Sequence, residues 1–141
     1  AAAAAVLMTV LVPAIAPGEL FRLPRERPLF WLLIVCCYPL LSVFPQGILY
    51  RALYYRRYAA LFPRPWLARL AGAMAFSFCH LFFLNGWALL LTLAGGWMFN
   101  RTYERTRSPA AANIEHAIHG CLLFTIGLGR FFYHGTQALL D

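Results

Sequence analysis

Three short polar clusters interrupt the apolar stretches of this chain, and their residue types could do chemistry. The first is Phe44-Pro45-Gln46-Gly47-Ile48-Leu49-Tyr50-Arg51, the second Phe76-Ser77-Phe78-Cys79-His80, and the third Asn113-Ile114-Glu115-His116-Ala117-Ile118-His119-Gly120. An amide and two imidazoles meeting away from bulk water would bind a water molecule or a polar ligand, and a neutral imidazole can accept a proton. Structural roles stand beside this reading. His80 could be a hydrogen-bonded packing residue, Arg51 could snorkel to lipid headgroups, and Gly47 and Gly120 could let helices approach closely. His116 and His119, at i and i+3, share a helix face and could ligate a metal or a porphyrin-type pigment. Two ligands do not make such a site, so neither a metal nor a cofactor is expected. Glu115 points about 100° away from His116 around a helix and is expected to face the interface or a basic residue such as Arg105.

The elements that must position these residues are hydrophobic helices. Of 141 residues, 62% are apolar and 12% charged, far from the near half and quarter of a soluble domain. The surplus apolar surface must face hydrocarbon, which a helix of about 20 apolar residues can cross. Apolar stretches are read at residues 1–16, 29–55, 66–84, 87–99 and 109–129. The fold expected is therefore all-α, a polytopic integral membrane bundle of about five transmembrane helices in one domain. Residues 1–28 form a partial first helix and loop, 29–129 the core, and 130–141 an aromatic tail in which His134 is expected at the interface. The chain opens on Ala1 to Ala5 without a Met, so the short first stretch is read as truncated and not as a signal peptide. Pro45 predicts a kink near residues 41–45, and Asn85-Gly86 a tight turn. Ser108-Pro109 is a helix start, a capping hydroxyl followed by proline in the first turn. Residues 100–108 are expected to form a polar loop.

Charge sets the orientation. Every one of the 12 basic residues is Arg, and the net charge is +7. The arginines fall in short clusters between apolar stretches, not in one surface run, which excludes nucleic acid as a partner. Arg22, Arg25, Arg27 and Arg130 lie on one side of the alternating path and the other eight on the opposite side, so loops 51–69 and 100–108 are expected to be cytoplasmic. Cys36, Cys37, Cys79 and Cys121 have no metal or redox spacing and read as small hydrophobes. From the cytoplasmic helix ends, Gln46 lies about 15 Å deep, His80 about 20 Å and His116 about 12 Å at a rise of about 1.5 Å per residue. All three reach one layer.

In order and spacing, the clusters resemble the CPBP family of intramembrane proteases, which includes CAAX prenyl-protein endopeptidases and bacteriocin-processing proteins. That family carries E-E-x-x-x-R on one helix, F-x-x-x-H on the next and H-x-x-x-N two helices later. Arg51 matches the arginine, Phe76 and His80 the second motif, and His116 the last histidine. The stretch from Gly95-Gly96-Trp97 to Ser108 is similar to the family's lead-in to the third motif. The resemblance implies that the glutamates and His80 would activate water for peptide hydrolysis, and that His116 and the asparagine would stabilise the oxyanion. Here Gln46 and Gly47 stand at the glutamate positions, and Gly120 at that of the asparagine. An amide cannot accept a proton from water, and glycine offers nothing. The reading is thus a degenerate, non-catalytic relative. It would use Arg51, Phe76, Asn113 and His119 around the vestigial Gln46, His80 and His116 to bind membrane lipids, a transmembrane peptide or a partner subunit of a larger complex. The alternative is an active endopeptidase that cleaves membrane-associated peptides with His80 and His116.

Overall fold

The computed structural model describes residues 2–132, and every regular element among them is helical. The tail beyond, with His134, lies outside the described residues. In chain order the helices are α1 (Ala2–Ile15), α2 (Arg22–Glu26), α3 (Pro28–Leu61), α4 (Pro65–Phe78), α5 (Gly86–Thr106) and α6 (Pro109–Ile126), with a 3₁₀ turn at Leu128–Phe132. By length and composition, α3 and the stretch Pro65–Phe83 are long and apolar enough to cross a membrane. The outward faces are strongly apolar. Leu29, Leu41, Phe78 and Leu84 are each more than 70% exposed, an arrangement that water would penalise at every residue.

Helix α3 runs through Pro39 and Pro45 without a break. Each proline removes one backbone donor, and the helix relaxes into π-helical turns at Pro39–Val43 and Ile48–Leu53 instead of stopping. The second wide turn carries Arg51, which is buried there. At the far end of α4 the chain leaves the helix at Cys79, passes His80 in a turn, and reverses through Leu84 in the left-handed region. Asn85 then caps α5, its Oδ1 accepting from the backbone N–H groups of Trp87 (2.9 Å) and Ala88 (3.3 Å). Ser108 caps α6 in the same way through Ala111 N–H.

The expected polar loop at 100–108 is a correction. Helix α5 continues to Thr106, because its polar residues have partners on neighbouring helices. Arg69 Nε donates to Glu104 Oε2 at 2.9 Å, Tyr55 OH to Glu104 Oε1 at 3.0 Å, and Asn100 Nδ2 to the Arg69 carbonyl at 3.3 Å. Further in, small residues bring α4 and α5 together. A Cβ on Gly96 would lie 3.1 Å from Ala73 Cα and 3.0 Å from Phe76, and Ser77 Oγ donates to the Leu89 carbonyl at 2.8 Å.

The opposite end is held by Val12, Ala16, Ile126 and Leu128, which form a buried apolar cluster tying α1 to the end of α6. Trp31 Nε1 donates to Thr125 Oγ1 at 2.9 Å and joins α3 to α6. Glu19 receives Arg22 at 3.0 Å and Arg130 at 3.1 Å.

These two ends predict different sensitivities. Glu104→Ala strands the half-buried Arg69 and Tyr55 and should lower stability by about 2 kcal/mol. Arg22→Ala, whose ion pairs are solvent-exposed, should leave the thermal transition nearly unchanged. Thermal unfolding in mild detergent compares them, and equal shifts would refute the assignment of Glu104 as the tie between α3, α4 and α5.

Candidate functional site

The second and third polar clusters meet around one aromatic ring. The Phe76 ring centroid lies 4.8 Å from that of His80, 5.4 Å from that of His116 and 5.3 Å from that of Tyr50, and the Arg51 Cζ sits 4.7 Å away. Phe99 completes the stack from α5, its ring 4.6 Å from His116 and nearly parallel to it. Gln46, Phe76, His80, His116 and His119 all line one cavity of about 770 Å³. Arg51 and Asn113 do not line it.

Each polar side chain has a defined state of satisfaction. Gln46 Nε2 donates to Ser42 Oγ at 2.9 Å, and its Oε1 is buried without a partner. His80 Nδ1 donates to the Phe76 carbonyl at 2.8 Å, which leaves Nε2 for the cavity. His119 Nδ1 donates likewise to the Glu115 carbonyl at 2.7 Å. His116 is 4% exposed, and its Nε2 shares a hydrogen bond of 3.1 Å with the Tyr38 hydroxyl while Nδ1 has no partner.

Arg51 does not snorkel. It is completely buried, turned inward by the π-helical turn, and held by the Phe76 and Phe99 rings and by the Gln46 carbonyl, to which Nη1 donates at 3.4 Å. Its Nε and Nη2 have no partners. Among the described residues Glu115 forms no ion pair with Arg105, and its Oε2 is buried and without a hydrogen-bond partner. Among the described residues no group of three His, Cys, Asp or Glu side chains is placed to hold a metal ion.

The two glycines at the altered motif positions are both filled from elsewhere. A Cβ on Gly47 would overlap the Asn113 side-chain amide, and one on Gly120 would overlap the ring of Tyr38. Asn113 thus lies in the space where a side chain at 47 would project, and Tyr38 in the space over 120 while also engaging His116 Nε2. Sequence reasoning missed Tyr38 and Phe99. Nothing in the local spacing singles out Tyr38, because its role comes from α6, where it covers Gly120 and meets His116.

This arrangement can hold and orient a polar group. It has histidine nitrogens, an amide oxygen and an aromatic cradle, but no carboxylate lines the cavity among the described residues. The filling of the glycines makes its own prediction. Gly47→Glu and Gly120→Asn should each destabilise by about 1–3 kcal/mol through overpacking. Asn113→Ala should rescue the first and Tyr38→Ala the second, each with a coupling of at least about 1 kcal/mol. Additive losses in the two double variants would show that neither side chain occupies the vacated space.

The family model described as type II CAAX prenyl endopeptidase Rce1-like matches residues 27–122, from the start of α3 into α6, and so contains all three clusters. No curated protein and no solved structure matches the chain.

Proposed function

The chain belongs to the Rce1-like type II CAAX prenyl endopeptidase family, and on that premise we propose that it is a non-catalytic member which binds a membrane component as an accessory subunit of a larger complex. The family is one of membrane-embedded proteins, and the exposed apolar faces of α3 and α4 agree with that setting. In this reading the apolar stretches form about five spans, with the basic segments 51–69 and 100–108 in the cytoplasm.

One observation supports the loss of catalysis above the others. The side chains that family chemistry would place at 46, 47 and 120 are replaced together, and the space at 47 and 120 is taken by Asn113 and Tyr38. Gln46 can hydrogen-bond a water but cannot remove its proton, and a positioned general base contributes about 10² to 10⁴-fold in rate. An oxyanion donor adds a further 10² to 10³-fold or so. Tyr38 engages Nε2 of His116, and that bond competes with metal or pigment ligation through the same nitrogen.

Hydrolysis of a prenylated CAAX peptide is the direct test. The purified protein, His80→Ala and His116→Ala should all run at the same background rate. Turnover by the parent chain that His80→Ala abolishes would establish the endopeptidase alternative instead. Restoring Gln46→Glu and Gly47→Glu with Asn113→Ala should raise the rate by about 10²-fold or more.

The accessory role has its own readout. Purified in mild detergent from its native membrane, the chain should migrate with a second membrane protein, and a chain that always migrates alone counts against that role.

A further inference from the structure

The cavity carries information about its occupant that the family does not supply. Its walls are apolar, contributed by α1 through Leu11 and Ile15 and by Leu91 and Leu123 from α5 and α6. Among the described residues no Arg, Lys, Asp or Glu side chain lines it. The nearest cation, Arg51, is completely buried and packs on the Phe76 and Phe99 rings instead of presenting itself to the cavity. A charged headgroup brought inside would lose its water without gaining a counter-charge.

Its mouth is equally telling. Leu7, Phe82, Trp87 and Leu90 line the cavity and are also exposed on the outer surface. The cavity therefore opens sideways, among residues that face hydrocarbon when the chain is in a bilayer. An entrant arrives from the lipid, along an apolar path.

The polar floor then selects among neutral lipids. The Phe76 carbonyl can only accept, so His80 Nδ1 carries the proton of that bond, and in the neutral ring Nε2 is left as an acceptor. Two cavity hydroxyls are already engaged as donors, while Ser42 Oγ accepts from Gln46 Nε2 and the buried Gln46 Oε1 is a second unpartnered acceptor. Thr92 Oγ1 donates to the Ala88 carbonyl at 2.7 Å, and Tyr50 OH donates to Cys79 Sγ. An acceptor-only headgroup would face His80 Nε2 lone pair against lone pair. A headgroup with its own O–H or N–H would not.

From these observations we infer that the cavity binds an uncharged, single-chain lipid whose hydroxyl or amide headgroup donates a hydrogen bond to His80. A volume of about 770 Å³ lies within the range of small-molecule sites, about 300–1,000 Å³. The inference rests on the non-catalytic reading above, since the bound lipid is held and not processed.

Competition against a photo-crosslinkable alkyl alcohol, in detergent-purified full-length protein, tests it. The competitors are a long-chain primary alcohol, its methyl ether and the sulfonate of the same chain length. The alcohol should compete about ten-fold more strongly than either of the others. His80→Ala should abolish the preference over the ether while the chain still binds. Leu90→Trp, at the mouth, should weaken all three competitors with the thermal transition unchanged. Equal competition by ether or sulfonate, or an unchanged preference in His80→Ala, would overturn the inference. Peptide turnover by the same preparation is scored separately. Turnover with the alcohol preference intact would remove the non-catalytic reading alone, and loss of the preference without turnover would remove the lipid assignment alone.

Discussion

A guanidinium taken wholly out of water must be met by charge, hydrogen bonds or polarisable rings, and the interior of this bundle is arranged around how Arg51 is met. No carboxylate forms an ion pair with it among the described residues. It has one long hydrogen bond to the Gln46 carbonyl and two aromatic faces, those of Phe76 and Phe99. A desolvated cation–π contact is worth about 2 kcal/mol, whereas burying an ion costs several. The two rings offset part of that cost, and they must stay where they are to do so. Phe76 and Phe99 are also the rings that hold His116 and, through Phe76, His80. The position of the imidazoles thus follows from the need to cover the arginine.

Packing constrains Gly47 and Gly120 as well. Removing a buried side chain leaves a void, and voids in packed interiors are costly. Here each glycine is covered by a side chain from another part of the chain, Asn113 from α6 and Tyr38 from α3. Tyr38 does more than fill. Its hydroxyl satisfies His116 Nε2, which would otherwise be a second unpartnered polar atom on one buried ring. A side chain introduced alone at 47 or 120 meets Asn113 or Tyr38.

Much of this was legible in the sequence because it follows from local spacing. The all-helical fold came from the length of the apolar stretches, the reversal before α5 from Asn85-Gly86, and the start of α6 from Ser108, whose cap depends on the next three residues alone. The convergence of Gln46, His80 and His116 came from depth along helices of known rise. What was not legible depends on contacts between helices. The helical continuation through residues 100–106 rests on Arg69 and Tyr55, which are 31 or more residues away from their partners in sequence. The inward turn of Arg51 rests on a π-helical relaxation that no periodicity announces. Tyr38 has the ordinary appearance of an aromatic residue in a span until Gly120 is brought beneath it.

A carboxylate, where one is present, shapes a cavity as well as a rate. Hydrolysis needs water at the reacting centre, and a carboxylate holds water there by charge. With an amide at 46 and no ionised side chain on the walls, the same enclosure has little to retain water and much apolar surface to gain from a chain. On the proposed reading, the polar atoms of the lining act on whatever headgroup ends that chain. On the proposed non-catalytic reading, the site's selectivity would pass from the transition state of a reaction to the hydrogen-bonding pattern of a neutral molecule. His80 is the residue through which that change is felt, because its one proton is already committed to the Phe76 carbonyl.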